Sequence, residues 1–207
     1  MCIRDRNQHY TDKKGMTTVK KYNKGQYGYR NHHKKVETGK VAFGAAMIIA
    51  QLTARHFVDS TAWKNILTVM AILSVLPTAN VASPLLAAWR YKTPSEDFHR
   101  RAAGYEGRFS ILYDLIITTR DAIIPADAAI VHPSGVFLYC TSPKLDTAKA
   151  EKFLKEMFAG HKLDLGVKII LDEKAFFHRM ESLKPAEEYE DDGSVDYTLQ
   201  LLKNLSM

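Results

Sequence analysis

The sequence predicts an α+β protein: a two-helix transmembrane hairpin over 41–92, then a small cytoplasmic domain over 108–207 with a mostly antiparallel sheet and flanking helices. Three observations carry this. Asn65 to Trp89 holds no charged side chain, and about 25 helical residues suffice to cross a hydrocarbon core of roughly 30 Å. Lysine and arginine concentrate on both sides of the apolar region rather than inside it. After Arg108 the apolar residues change from helical spacing to strand-like runs rich in Ile, Leu, Tyr and Phe.

The first apolar stretch, Val41 to Val58, is interrupted only after Ala54, by Arg55 and His56. It reads as a shorter span whose long or amphipathic side chains reach the interface. Ala42, Ala46, Ala50 and Ala54 line one of its faces, and Ser74, Thr78 and Ala82, with Ala79, Ser83 and Ala87, do the same on the second helix. Small residues at this spacing let two helix backbones approach, within a hairpin or between copies. Pro77 and Pro84 are expected to kink the second helix or free carbonyls for Ser74, Thr78, Asn80 or Ser83 to satisfy. Asn80 reads as an interhelical hydrogen-bonding residue, or as a pore-facing one if copies assemble. Trp89 and Tyr91, beside Arg90 and Lys92, form an interfacial belt.

The net charge is +6 and the isoelectric point about 9.2. Lys20, Lys21, Lys24, Arg30, Lys34, Lys35 and Lys40 precede the first span, Arg90, Lys92, Arg100 and Arg101 follow the second, and Arg55, Asp59 and Lys64 nearly balance between them. By the positive-inside rule both termini face the cytoplasm of a bacterial inner membrane. The basic excess is therefore a topology signal, and no specific nucleic-acid binding is expected. Cys2 and Cys140 fall in a reducing compartment and are expected as free thiols. The polar start argues against a cleavable signal peptide, so the first span itself directs insertion.

Residues 1–40 read as a basic flexible arm. Its opening Met1–Arg6 resembles translated adapter sequence, which puts the natural start at Met16 and sets 1–15 aside. His32–His33 lacks a third ligand nearby and reads as polar flank. Residues 93–107 read as a linker carrying a short helix over Ser95 to Ala103, capped by Ser95. Strands follow at Phe109–Thr119, Ile123–His132 and Gly135–Thr141, the last two joined by the turn His132-Pro133-Ser134-Gly135. A helix over Leu145–His161 is capped by Asp146, a fourth strand covers Val167–Leu171, and a helix covers Glu173–Leu183. An acidic loop, Lys184–Gly193, leads to a last helix over Val195–Leu205 capped by Ser194.

Asp114 and Asp127 interrupt otherwise apolar strands, and such a pair could serve general acid/base work or hold a cation, unless both point outward. Cys140 with His132 or His161 offers a thiol and a base, against the alternative of buried packing. His99, His161 and His178 are scattered, so no metal site is expected from them. The carboxylates Glu187, Glu188, Glu190, Asp191 and Asp192 lack the ligand spacing of a calcium loop. No glycine-rich phosphate loop, nucleophile elbow or HExxH motif is present, and no cofactor is expected.

The run from Asp127 through Pro133-Ser134-Gly135-Val136-Phe137 to Ser142 resembles the central strand pair of nuclease-related (NERD) domains, which are similar to restriction-endonuclease folds. That family follows its Asp and turn with Glu-x-Lys. Here the Glu falls on Cys140 and the Lys on Ser142, so the resemblance implies the fold without the second metal-binding carboxylate or the water-activating cation. The overall layout also resembles uncharacterised bacterial membrane proteins carrying an "O-linked GlcNAc transferase-like" label. No tetratricopeptide period or nucleotide-sugar site accompanies it.

The expectation drawn from these readings is a membrane-anchored protein whose cytoplasmic domain binds or scaffolds a partner, with the lipid bilayer and a protein partner or second copy as its contacts. Two alternatives remain open: a membrane-tethered degenerate nuclease-like or hydrolytic enzyme using Asp114 and Asp127, and a small oligomeric transporter or pore subunit.

Overall fold

The computed structural model describes residues 22–119, 123–190 and 192–207. Cys2, the proposed start at Met16, Lys20, Lys21 and Asp191 lie outside them. The order is α1 (Tyr29–Phe57), α2 (Thr61–Trp89), α3 (Glu96–Ala103), β1 (Ser110–Thr118), β2 (Ile123–His132), β3 (Gly135–Tyr139), α4 (Thr147–Gly160), β4 (Val167–Ile170), α5 (Glu173–Ser182) and α6 (Ser194–Leu205).

β1, β2 and β3 form an antiparallel meander, as hairpin-length connections favour, and α4 carries the chain across so that β4 joins β3 in parallel. Helices cover both faces. Leu154 and Phe158 of α4 and Leu201 and Leu202 of α6 pack on one, while Phe98 of α3 and Phe176 and Met180 of α5 pack on the other. Burial on both sides explains why β2 and β3 are nearly continuous apolar runs rather than alternating ones. At the open edge, Glu151 of α4 accepts a hydrogen bond from the Ile169 amide, which removes a free donor from a strand that another chain could extend.

α1 and α2 lie antiparallel, with Gln51 bonded to Ser74 near the tip and Lys34 of α1 reaching the Trp89 and Tyr91 carbonyls at the domain end. Gly44 packs directly on the Thr78 side chain of α2, with which a Cβ there would collide. Both prolines are accommodated in an unbroken α2. The Ser74 and Thr78 hydroxyls bond their own i−4 carbonyls, on Met70 and Ser74, not the Leu73 carbonyl left without a donor by Pro77. Asn80 is exposed, turned away from α1, so the expected bond across the hairpin is made by Gln51 instead.

Four expectations are corrected. Among the described residues only α2 is long and apolar enough to cross a membrane by itself, so the expected hairpin of two transmembrane spans is reduced to one candidate span with α1 packed along it. The apolar part of α1, Val41 to Ala54, would extend about 21 Å as helix, short of a hydrocarbon core of roughly 30 Å. The described part of the arm is not a free tail: α1 begins at Tyr29, and Tyr113 donates to the Gly25 carbonyl at 2.8 Å, adding residues of the arm to the edge of β1. Residues 93–107 are no spacer, since Phe98 and Ala102 are buried in the core, although Ser95 caps α3 as expected by accepting from the Phe98 amide. Finally, α6 starts at Ser194 after an αL Gly193, and the side chain that caps it is Asp192, which accepts from the Ser194 amide.

Replacing Gly44 with leucine should therefore drive α1 from α2 and lower the thermal midpoint in detergent. Gly39→Ala, at a helical position with open space around it, should raise stability by about 1 kcal/mol through helix propensity. Circular dichroism melts of the two variants distinguish a packing contact from a general intolerance of α1.

Candidate functional site

The two aspartates singled out in the strands stand directly opposite one another. The register runs Tyr113 to Ala128 and Leu115 to Ala126, which places Asp114 across from Asp127. Asp114 is in the left-handed region at φ 58°, a conformation Asp tolerates better than most residues. Both strands reverse their facing here. Leu112 and Leu115, three apart rather than two, point into the same core, and so do Ala126 and Ala129. Register survives because both strands shift together, but like charges in opposed positions destabilise a sheet.

Arg30, the second residue of α1, fills the resulting gap and is 3% exposed. Its Nη1 donates to Asp127 Oδ1 at 2.9 Å and to the Lys92 carbonyl at 2.6 Å. Its Nη2 donates to the Leu115 and Ala126 carbonyls, both at 3.1 Å, taking up the backbone acceptors that flank the double shift. Only Nε is without a hydrogen bond, 3.8 Å from Asp114 Oδ1, which is also unsatisfied. A planar guanidinium with a fixed fork of donors suits two strands and one carboxylate at once; a lysine ammonium would not.

Asp114 has a second role. Gly28, in the αL conformation, is the N-cap of α1 and offers no side chain to the free amides of the first turn. Asp114 Oδ2 supplies the missing acceptor, taking bonds from the Gly28 amide at 2.8 Å, the Arg30 amide at 3.4 Å and the Thr93 hydroxyl at 3.0 Å. A carboxylate at a helix N-terminus is electrostatically favourable. At the other helix, the Lys34 ammonium caps the carbonyl end of α2. Asp127 Oδ2 is held by the Thr141 amide at 3.0 Å and by its hydroxyl. Burial pushes the Asp114 carboxyl above the ordinary carboxylate range, opposed by Arg30, Thr93 and the Gly28 and Arg30 amides.

The other residues picked out by sequence do not join this cluster. Cys140 is fully buried, and burial, aided by the Asp127 charge, pushes its thiol up, away from the reactive thiolate. His132 is buried in the β2–β3 turn, where burial holds its pKa down. Its Nδ1 accepts from the Ser134 amide, so Nε2 is the donor to the Lys184 carbonyl. His161 pairs with the Tyr197 hydroxyl. Neither histidine is free to serve Cys140. His99 stacks on Tyr27 with ring centroids 4.1 Å apart, and His178 is on the exposed side of α5. No three His, Cys, Asp or Glu side chains among the described residues are placed to hold a metal ion.

Sequence reasoning missed Arg30, Thr93, Lys34 and Thr141. The available signal was the pair of carboxylates in apolar strands, each of which demands a cation, and the Gly-x-x-Gly spacing of Gly25 and Gly28 before the arginine. Beside the cluster, a cleft of about 1160 Å³ opens between the α2–α3 connection and the β3–α4 loop; Arg30, Asp127 and Thr141 form part of its wall.

No family model, curated protein or solved structure matches the chain. The chemistry must therefore be read from the geometry. A catalytic carboxylate pair needs one member free to exchange a proton with a substrate or hold a metal. Here Asp127 is spent on Arg30 and Thr141, and Asp114 on the end of α1.

Removing one side of a buried ion pair costs about 3–5 kcal/mol, since the other is left uncompensated. Arg30→Met should lower unfolding stability on that scale, and adding Asp114→Asn and Asp127→Asn should recover part of the loss. Chemical denaturation of the set measures it. Because the Asp114 pKa is raised on folding, its contribution is fully present below the unfolded value of about 4 and is lost as pH rises through the folded one. Relative to the native protein, Asp114→Asn should gain stability across that window and level off above it, a trend read from unfolding midpoints at successive pH values.

Proposed function

We propose that this protein is membrane-anchored through α2 and holds its α+β domain rigidly at the membrane surface as a binding or scaffolding module. The observation that carries this reading is the pairing of two features in one element. The α1–α2 rod exposes large apolar side chains along its outer part, Phe43 at 69% and Leu76 at 64% among them, and its base is locked into the domain by Arg30. Exposed apolar surface on this scale is costly in water and favourable in lipid.

α2 is about 44 Å long, with Trp63 near one end and Trp89 at the other, where amphipathic rings favour the two interfaces of a bilayer. α1 follows it as a packed companion rather than a second independent span. Its Glu37–Lys40 pair lies toward the domain end, within reach of headgroups. With Lys24, Arg30, Lys34, Lys35, Lys40, Arg90 and Lys92 all at that end, the domain and both termini belong on the cytoplasmic side. The degenerate nuclease-like alternative draws support from the meander and the crossover to a parallel fourth strand, but the two carboxylates it would use, Asp114 and Asp127, are held by Arg30, Thr141 and the start of α1.

A second copy as partner is favoured by the outward-facing Asn80, whose side chain makes no hydrogen bond among the described residues and would find one across a symmetric interface within lipid.

The full-length chain should require detergent for extraction and should float with lipid vesicles. Thiol labelling from outside the cell should reach a cysteine at Ser60→Cys but not one at Ser194→Cys. A chain recovered as a soluble monomer without detergent, or labelled in the reverse pattern, would overturn the reading.

A further inference from the structure

The cleft beside Arg30 is framed by two different parts of the chain. One wall is the connection from α2 to α3, with Arg90 and Lys92; the other is the β3–α4 loop and the first turns of α4, with Lys144 and Phe153. Most charges around it are already matched. Asp127 pairs with Arg30, Lys149 with Asp146, Lys152 with Glu156, and Glu173 with Arg101. Three cations are left over. Arg90, Lys92 and Lys144 have no carboxylate within ion-pair distance among the described residues, and they come from both walls. All three are exposed, whereas the apolar lining residues Ile123, Leu145 and Phe153 are partly buried. A cleft with surplus positive charge at the rim and hydrocarbon at the floor is matched to an amphiphile with an anionic head.

Its position selects the source. Arg90 follows Trp89 directly, at the end of the one helix among the described residues that is long and apolar enough to cross a membrane, so on the reading above the mouth opens at the headgroup layer. We propose that this cleft binds an anionic phospholipid of the bilayer, with its phosphate against Arg90, Lys92 and Lys144 and the first methylenes of an acyl chain over Ile123, Leu145 and Phe153. This rests on the membrane-anchored reading. The cations supply the attraction that any basic segment near an anionic leaflet feels, while the floor adds a contact that only a lipid's apolar portion makes.

The sequence has two tryptophans, so full-length protein carrying W63F keeps Trp89 alone, one residue from Arg90. It is reconstituted into phosphatidylcholine vesicles containing a minor fraction of brominated phosphatidylglycerol or, separately, brominated phosphatidylcholine, and quenching of Trp89 is compared. The expected result is stronger quenching by the glycerol lipid. That preference should fall about fivefold with K144Q, the scale of one cation near an anionic surface, and should also collapse with F153S, which leaves the charge unchanged. L145S replaces F153S if the latter loses its native circular dichroism spectrum. Equal quenching by the two lipids, in protein that floats with the vesicles, overturns the lipid site and leaves the membrane reading standing. Failure to float overturns that reading itself. A preference untouched by F153S or L145S reduces the effect to general surface attraction, and one abolished by glycerol 1-phosphate assigns the cleft to a soluble phosphate ester; either overturns the proposal.

Discussion

One buried guanidinium organises this molecule. Arg30 joins four separate pieces of chain: its own helix, the Lys92 carbonyl after α2, the Leu115 carbonyl of β1, and the Ala126 carbonyl and Asp127 carboxylate of β2. Without it, two opposed aspartates would repel within a sheet whose strands have both shifted out of phase. Burying these charges is expensive in itself, and the geometry repays it only because almost every donor finds an acceptor. The arrangement specifies where the helical rod stands relative to the domain, which apolar packing alone, being non-directional, would leave loose.

The two helices are tied at their base by complementary means. Asp114 accepts the free amides at the start of α1, and Lys34 donates to the free carbonyls at the end of α2. Each uses the partial charge of a helix end, and each comes from an element other than the helix it caps. Thr93 and Lys92, in the short connection between α2 and α3, are drawn into the same cluster, so the segment entering the domain has little freedom. An apolar rod and a polar domain are thereby coupled as one body.

Much of this fold was legible from local pattern. The three strand runs after Arg108, the fourth at Val167, and the helices around Phe153 and Phe176 fall where periodicity and turn residues put them, and Ser95 and Asp146 cap as their positions suggest. What escaped was the N-terminal region. Asn23 to Arg30 is polar and without period, and α1 begins at Tyr29 because an acceptor 86 positions from Gly28 in sequence stabilises its first turn. No window of local propensity contains that information. Arg30 reads as a topology-setting cation for the same reason: a basic residue ahead of an apolar helix is ordinarily solvated, and only the shape of a distant sheet makes this one a core residue. The first apolar run resembles a span because its alanines raise apolarity, yet Arg55 closes it early.

The separation between Arg30 and Asp127, 97 positions along the chain, imposes an order on biogenesis. During synthesis the rod emerges complete before β2 exists, so Arg30 and Lys34 leave the ribosome as ordinary hydrated cations flanking a greasy segment. Once β1 and β2 pair, the same arginine is withdrawn from solvent and becomes part of the sheet. A single side chain thus passes through two successive environments, first water and then the interior of a sheet that it helps to close.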